Sequence, residues 1–234
     1  MKALLVDLDD TLLDYTGGVD GCWLGACSAL ADPRRMPPEA LVAAIARARR
    51  WFWADPDRHR RERTDMLGAW SKITAHALSE LGCPDEALAA AIAQDFAERR
   101  WKRMALFAGV PEALEGLRQR GLRLALVTNG DHRHQRRKIE QHDLGRFFDV
   151  ILIEGEFGAG KPDAVVFRHA LDALGARPAE ACMVGDHLIN DVEGAGQLGI
   201  RTVWIDRARA GLPSGSAARP DHIIASLTEL HRLG

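Results

Sequence analysis

Five short apolar runs, each leading into a polar or acidic residue and spaced by stretches of helical length, set the tightest limit on how this chain can fold. The first is Ala3–Leu8, which meets acids at Asp7, Asp9 and Asp10. The others cover Leu122–Thr128, Phe148–Ile153, Ala181–Gly185 and Arg201–Ile205. Continuous rather than alternating apolarity is what a strand buried on both faces requires. Between the later runs the pattern turns helical, over Pro111–Arg120 (ended by Gly121), Gln135–His142, Asp163–Leu174 and Asn190–Leu198. Strands separated by helices of this length are joined by βαβ crossovers, which makes the sheet parallel.

One gap breaks the alternation. From about Tyr15 to Arg103 there is no strand pattern, only helical stretches. Pro37-Pro38-Glu39 opens one, with apolar positions at Leu41, Val42 and Ile45. A second runs from about Thr64 to Leu81 and stops at Gly82, and a third from about Pro84 to Trp101. The expected organisation is an α/β core of residues 1–14 and 105–234, with an all-helical insertion over 15–104. The core is expected to be a Rossmann-like parallel sheet with helices on both faces. Gly211–Pro220 reads as a surface loop ahead of a short terminal helix.

Composition removes several classes. With 234 residues, 47% hydrophobic and 27% charged, the chain can bury a sizeable core and is not globally disordered. A net charge of -2 gives no reason to expect nucleic acid or a membrane surface as partner. No run reaches the ~18 apolar residues of a membrane span, and nothing resembles a secretory leader. Four cysteines (Cys22, Cys27, Cys83, Cys182) lack metal-ligand spacing and read as reduced core thiols of a cytoplasmic protein.

Ligands of open α/β sheets bind outside the carboxyl ends of the strands. Here those ends carry Asp7-Leu8-Asp9-Asp10-Thr11, Thr128-Asn129-Gly130, Lys161 and Gly185-Asp186, with Asp191 five residues on. Several carboxylates at one edge repel each other and resist desolvation unless a cation sits among them. Oxygen ligands without His or thiolate suit Mg²⁺ beside a phosphate. Lys161, Thr128 and backbone N–H groups near Gly130 could then hold phosphate oxygens. A carboxylate is a competent nucleophile toward a phosphoryl group, and a second carboxyl nearby can move the leaving group's proton. In an extended strand residues i and i+2 point the same way, so Asp7 and Asp9 share one site if the strand continues.

The segments VDLDDTL (6–12), VTNG (127–130), GKPD (160–163) and VGDHLIND (184–191) together resemble the four ordered motifs of the haloacid dehalogenase superfamily. The resemblance covers the core, and the helical insertion lies where that superfamily places a cap. It implies Asp7 as nucleophile and Asp9 as general acid/base. Thr128 and Lys161 would bind phosphate with Leu8, Thr11, Asn129 and Gly130, and Lys161 would also steady Asp7. Mg²⁺ would be held by Asp7, Asp186 and the backbone carbonyl of Asp9, supported by Asp191. His187 stands where many relatives have Thr or Ser. The run Thr128–Asp149 is similar to the N-acylneuraminate-9-phosphatase and nucleotidase-like branch.

The implied activity is Mg²⁺-dependent hydrolysis of a small phosphorylated metabolite (sugar phosphate, sugar-acid phosphate or nucleotide) by a monomer or homodimer. A 2-haloacid dehalogenase uses the same nucleophile without metal but lacks the second acid, which here is Asp9. A phosphomutase also needs both acids, and a non-catalytic module would usually have lost one of them or the lysine. Gly155–Lys161 fits the spacing of a P-loop, but Pro162 stands where that loop needs a hydroxyl. The insertion holds five of six tryptophans (Trp23, Trp51, Trp53, Trp70, Trp101) and an Arg-rich stretch from Arg47 to Arg63. Most of these read as a small helical core with a solvated basic face, and His132 and His134 as surface residues.

Overall fold

The computed structural model describes residues 1–232. The chain divides into two compact units, one combining Met1–Tyr15 with the chain from Ala105 onward, the other Thr16–Met104. Strand β1 (Ala3–Val6) opens the first unit and is buried at every position.

The second unit is all helix: α1 (Val19–Leu30), α2 (Pro38–Ala54), α3 (Pro56–Glu62), α4 (Met66–Glu80) and α5 (Glu86–Arg103). Helices α2, α4 and α5 lie where the apolar spacing places them, whereas α1 and α3 carry no such signal. In α1, Gly21 and Gly25 dilute helix propensity. In α3 the sequence PDRHRRE has no apolar period. Its start is fixed instead by the Asp55 carboxylate, which accepts the Arg58 N–H at 2.8 Å. The unit's core is aromatic where it is bulky and alanine-rich where helices meet closely. Trp23 stacks on Phe96 at 3.6 Å between ring centroids, and Trp70 meets Phe96 edge-on at 5.1 Å. Ala44, Ala48, Ala69 and Ala93 are fully buried around them. The basic stretch behaves as a solvated face; Arg58 turns inward far enough to donate to the carbonyls of Phe52 and Trp51 at 2.7 and 2.8 Å, satisfying the end of α2.

The first unit continues with α6 (Val110–Gln119), β2 (Arg123–Thr128), α7 (His132–Gln141), β3 (Val150–Ile153), the single turn α8 (Glu154–Phe157) and α9 (Ala164–Leu174). It ends with β4 (Ala181–Gly185), a π-helical turn at Leu188–Glu193 running into α10 (Gly194–Gly196), then β5 (Arg201–Ile205) and β6 (His222–Ile224). The strands form one parallel sheet in the order β3-β2-β1-β4-β5-β6. Alternate residues face opposite sides, so Ala3, Leu5, Ala125 and Val127 join Phe167 and Leu171 of α9 in one apolar layer. Leu4, Val6, Leu124 and Leu126, directed to the other face, are fully buried as well. Because β1 lies between β2 and β4, the direction of crossover reverses beside it, and the carboxyl ends there form the crevice of an open α/β sheet.

Several expectations are corrected. β1 stops at Val6, two residues before the apolar run ends, because Asp10 takes a left-handed conformation (φ 57°) and the chain turns back. Helix α7 starts at His132 rather than Gln135, since the Asp131 carboxylate caps it by accepting the His134 N–H at 2.9 Å. The expected helix at 190–198 begins as part of a π-helical turn, Leu188–Glu193, and is α-helical only over Gly194–Gly196. The supposed loop-then-helix ending contains β6, a three-residue edge strand too short to show a period. Asp221 sets its register by accepting the Thr202 N–H at 2.7 Å. Cys22, Cys27 and Cys182 are buried, but Cys83, just past α4, is exposed and is no core thiol. Among the described residues no helix is long and apolar enough to cross a membrane.

Candidate active site

Each polar residue at the carboxyl edge is delivered by a short turn after a rigid strand. Asp7 follows β1 directly and is 7% exposed. Its Oδ1 receives Lys161 Nζ at 2.6 Å, and the same ammonium lies 2.7 Å from Asp191 Oδ1. That second approach is an ion pair without hydrogen-bond alignment, leaving Asp191 Oδ1 a buried oxygen with no well-directed donor. Lys161 is itself 2% exposed and is aimed by its backbone. The Asn129 amide donates to the Lys161 carbonyl at 2.7 Å and accepts the Lys161 N–H at 2.8 Å.

Glycine makes this density of charge sterically feasible at β4. A Cβ on Gly185 would lie 2.1 Å from Asp191 Oδ2, so only glycine lets the π-helical turn fold Asp191 back over the strand end. π-Helical turns inside helices recur at functional sites. The turn is held by the His187 N–H donating to Asp191 Oδ2 at 3.0 Å, while the His187 ring nitrogen accepts the Asn190 N–H at 3.1 Å. The imidazole thus caps the turn, as a Ser or Thr hydroxyl at that position could. Trp204 Nε1 donates to the Asp186 carbonyl at 2.8 Å and fixes the neighbouring acid.

Asp7, Asp186 and Asp191 can bring ligand oxygens within 4.8 Å of one another. Burial pushes the Asp7 carboxyl up to about 7, with Lys161 opposing the rise and Asp191 adding to it. Burial likewise pushes Asp186 up to about 8, reinforced by Asp7 and Asp191. For Lys161, burial pulls downward but the charges of Asp191 and Asp7 outweigh it, and the net shift is upward. One lysine therefore does not compensate three acids. The all-oxygen donor set, its spacing and the sharing of one ammonium by Asp7 and Asp191 all fit a hard divalent cation such as Mg²⁺.

A family model described as haloacid dehalogenase-like hydrolase matches residues 1–199. The chain belongs to that family. It is 37% identical to a phosphoserine phosphatase of Thermus thermophilus over 98% of both chains. It is 38% identical to the N-acylneuraminate-9-phosphatase of Rattus norvegicus, over 57% of this chain and 54% of that one. Among solved structures, a HAD-hydrolase from Bacillus subtilis bound to magnesium covers 99% of this chain (97% of its own) at TM-score 0.75 and 22% identity. A 2-haloacid dehalogenase from Pseudomonas syringae covers 100% of this chain (98% of its own) at TM-score 0.65 and 26% identity.

Within this haloacid dehalogenase-like frame, the phosphate-binding expectations divide. Thr128 is at the end of β2, with its Oγ1 accepting from Gln135 at 2.5 Å. The Leu8 side chain is fully buried, which leaves only its backbone for a ligand. The Thr11 hydroxyl is fully buried rather than displayed and, among the described residues, has no hydrogen-bond partner. The Gly130 N–H already donates to Glu154 Oε2 at 2.9 Å, and the Asn129 amide is spent on Lys161. Asn129 and Gly130 thus brace the edge through these contacts.

Asp9 departs furthest from its expected geometry. Since β1 ends at Val6, Asp9 does not share the Asp7 orientation through strand pleat. Its carboxylate lies outside the three-acid cluster and meets Lys138 Nζ at 2.8 and 2.7 Å. Lys138 and Gln135 were missed from sequence, where they sit in the charge-rich run HRHQRRKIEQ. Also missed was Arg207, which lies over the Phe107 ring at 3.3 Å and donates to the Thr11 carbonyl at 3.1 Å, pinning the turn after β1.

Proposed function

We propose that this hydrolase cleaves phosphate monoesters of small metabolites through an aspartyl-phosphate formed on Asp7. The observation that carries the reading is the buried Asp7–Lys161–Asp191 constellation with a separate, independently held carboxylate at Asp9. In the first step an Asp7 oxygen attacks phosphorus and the bond to the leaving oxygen breaks, with Asp9 giving that oxygen a proton. In the second, Asp9 takes a proton from water as the water attacks the acyl phosphate, releasing inorganic phosphate and restoring Asp7. Lys161 offsets negative charge gathering around Asp7, and the Thr128 hydroxyl donates to a phosphate oxygen. Asp7, Asp186 and the Asp9 carbonyl would hold Mg²⁺, with Asp191 in support. When bound, the ion supplies positive charge against the phosphate's own.

The full-length likeness to a phosphoserine phosphatase and the partial likeness to a sugar-acid phosphatase favour a small substrate that carries a carboxylate. The test is turnover of para-nitrophenyl phosphate with and without EDTA. A panel then follows: phosphoserine, sugar-acid and sugar phosphates, nucleotides, flavin mononucleotide and phosphoglycolate. Loss of turnover in EDTA supports the reading. Dehalogenation of 2-chloropropionate that survives EDTA would replace it with the dehalogenase alternative, which the Pseudomonas syringae likeness keeps in view. A hexose phosphate returned as its isomer would mark a mutase.

A further inference from the structure

We propose that Lys138 and Gln135 of α7 are positioning residues that set the Asp9 carboxylate and the Thr128 hydroxyl with a single turn of helix. The proposal rests on the reading of Asp9 as the proton-transfer group. Both residues are unusual for their types: Gln135 is 2% and Lys138 3% exposed, on a helix made almost wholly of polar residues. Three positions apart, they share a face with buried Ile139, which seats that face inward.

The network orients itself. A lysine ammonium can only donate, so the Gln135 atom 2.6 Å from Lys138 Nζ is the carbonyl oxygen. The Gln135 amide nitrogen therefore faces Asp9 Oδ2 at 3.1 Å, Thr128 Oγ1 at 2.5 Å and the Asn129 carbonyl at 3.1 Å. Because Thr128 Oγ1 accepts from Gln135, its own hydrogen is left to donate. Among the described residues its one contact as a donor, the Asn129 carbonyl, is at 3.5 Å, the outer limit of a hydrogen bond. The hydroxyl is thus poised for a phosphate oxygen. Lys138 spans both oxygens of Asp9 and fixes the carboxylate plane, and the Tyr15 ring, 4.0 Å from Nζ, covers the ammonium. Packing alone does not call for a charge at a position this buried, where an unbranched apolar side chain such as methionine is of similar length. The lysine is explained by what it holds.

The experiment compares kcat and KM of wild type, Lys138→Met, Lys138→Arg, Asp9→Asn and the double variant Asp9→Asn/Lys138→Met. The substrates are phenyl phosphate and para-nitrophenyl phosphate, whose leaving oxygens differ strongly in their need for a proton. Lys138→Met is expected to lower kcat on phenyl phosphate by on the order of 10²-fold, the cost of a misplaced catalytic group, with a smaller loss on the nitrophenyl ester and little change in KM. Lys138→Arg should recover part of the loss, and the double variant should be no slower than Asp9→Asn alone. Gln135→Leu should weaken inhibition by inorganic phosphate about 2- to 10-fold, the worth of one hydrogen bond. Equal losses on both esters that multiply with Asp9→Asn would show that Lys138 only supports the fold and would overturn the proposal; so would an unchanged rate. If Asp9→Asn itself matches wild type, the assignment of Asp9 fails first, and the two failures are told apart.

Discussion

The two units spend their buried polar groups differently. In the helical unit the bulky interior is Trp23, Trp70, Phe52 and Phe96, and its buried charges are few: Glu62, paired with Lys72 at 2.5 Å, and Arg100 beside the rings of Phe96 and Trp70. In the α/β unit, charges gather at one sheet edge, where Asp7, Lys161, Asp191 and Lys138 are all buried within a few residues of strand ends or on α7. Burying one charge is costly, and burying several acids around one lysine leaves a net negative pocket. An apolar arrangement would hold the sheet as well. The contrast separates residues that keep the chain folded from residues kept in spite of folding, and it tells which measurement each unit should answer to.

The sharpest break would come at Asp7. Asp7→Asn is expected to abolish turnover of para-nitrophenyl phosphate while leaving the circular dichroism spectrum unchanged, because Lys161 keeps Asp191 as a partner. Near wild-type turnover would refute the nucleophile. Asp9→Asn is expected to cost ~10²–10⁴-fold in kcat, the range for general acid–base groups. An unaltered rate there would reduce Asp9 to a structural role.

Within the helical unit the prediction is for stability instead. Trp23→Ala removes the ring stacked on Phe96 and should cost about 3–5 kcal/mol in urea unfolding, as other buried Trp truncations do. Trp51→Ala, at an exposed position, should cost under ~1 kcal/mol. Similar values for both would mean the unit's core is not where the burial puts it.

Metal and pH tie the two kinds of measurement together. Asp7 and Asp186 titrate near 7 and 8 in the fold, against about 4 for an unfolded aspartate, so the folded chain holds extra protons in between. Their stabilising contribution is complete below pH 4 and is lost as pH rises through 7 and 8. His142, lowered by burial, opposes this only below its ordinary value near 6.5. The buried thiols of Cys27 and Cys182 add a loss of the same sign only as pH nears 8.5, which makes pH 6.5–8 the clean window. In EDTA the melting temperature should fall across that window. Mg²⁺, competing with protons for the same oxygens, should raise it more at pH 8 than at pH 6.5. Asp7→Asn should flatten the slope, and a Mg²⁺ effect larger at the lower pH would contradict the site.

What sequence could reveal followed from how many residues carry each signal. β1 is legible because Ala3–Val6 is a continuous apolar run ending in acids, and the parallel pairing of the sheet follows from the alternation after Pro111, although the strand order does not. β6 has three residues and no period, and α3 is held by a cap and by Arg58 rather than by an apolar face. The motif residues could be named because they stand at strand ends, yet their contacts could not. Thr11 turned out buried, and Gly130 and Asn129 brace the edge, because side-chain partners come from segments distant in the chain. Lys138 was hidden in a charged run. The available clue was Ile139, the one aliphatic residue of HRHQRRKIEQ, which marks an inward face that Gln135 shares at i,i+4.

The smallest predicted effect concerns the thiols, which the composition treats alike and the fold does not. Cys27 and Cys182 are pushed up to about 12 by burial, and a thiol that stays protonated and covered is a poor nucleophile. Cys83 is exposed at the end of α4. Iodoacetamide should therefore label the native chain once, at Cys83, and all four thiols only in denaturant. Cys83→Ser should change unfolding stability by no more than ~0.5 kcal/mol, as surface substitutions do. Cys27→Ser, placing a hydroxyl in the aromatic core of the helical unit, should cost about 1–3 kcal/mol for the unmet hydrogen bond. Labelling of Cys22 or Cys27 in the native protein would show the helical core opening readily, and the division between a unit built for stability and an edge built for chemistry would lose its first half.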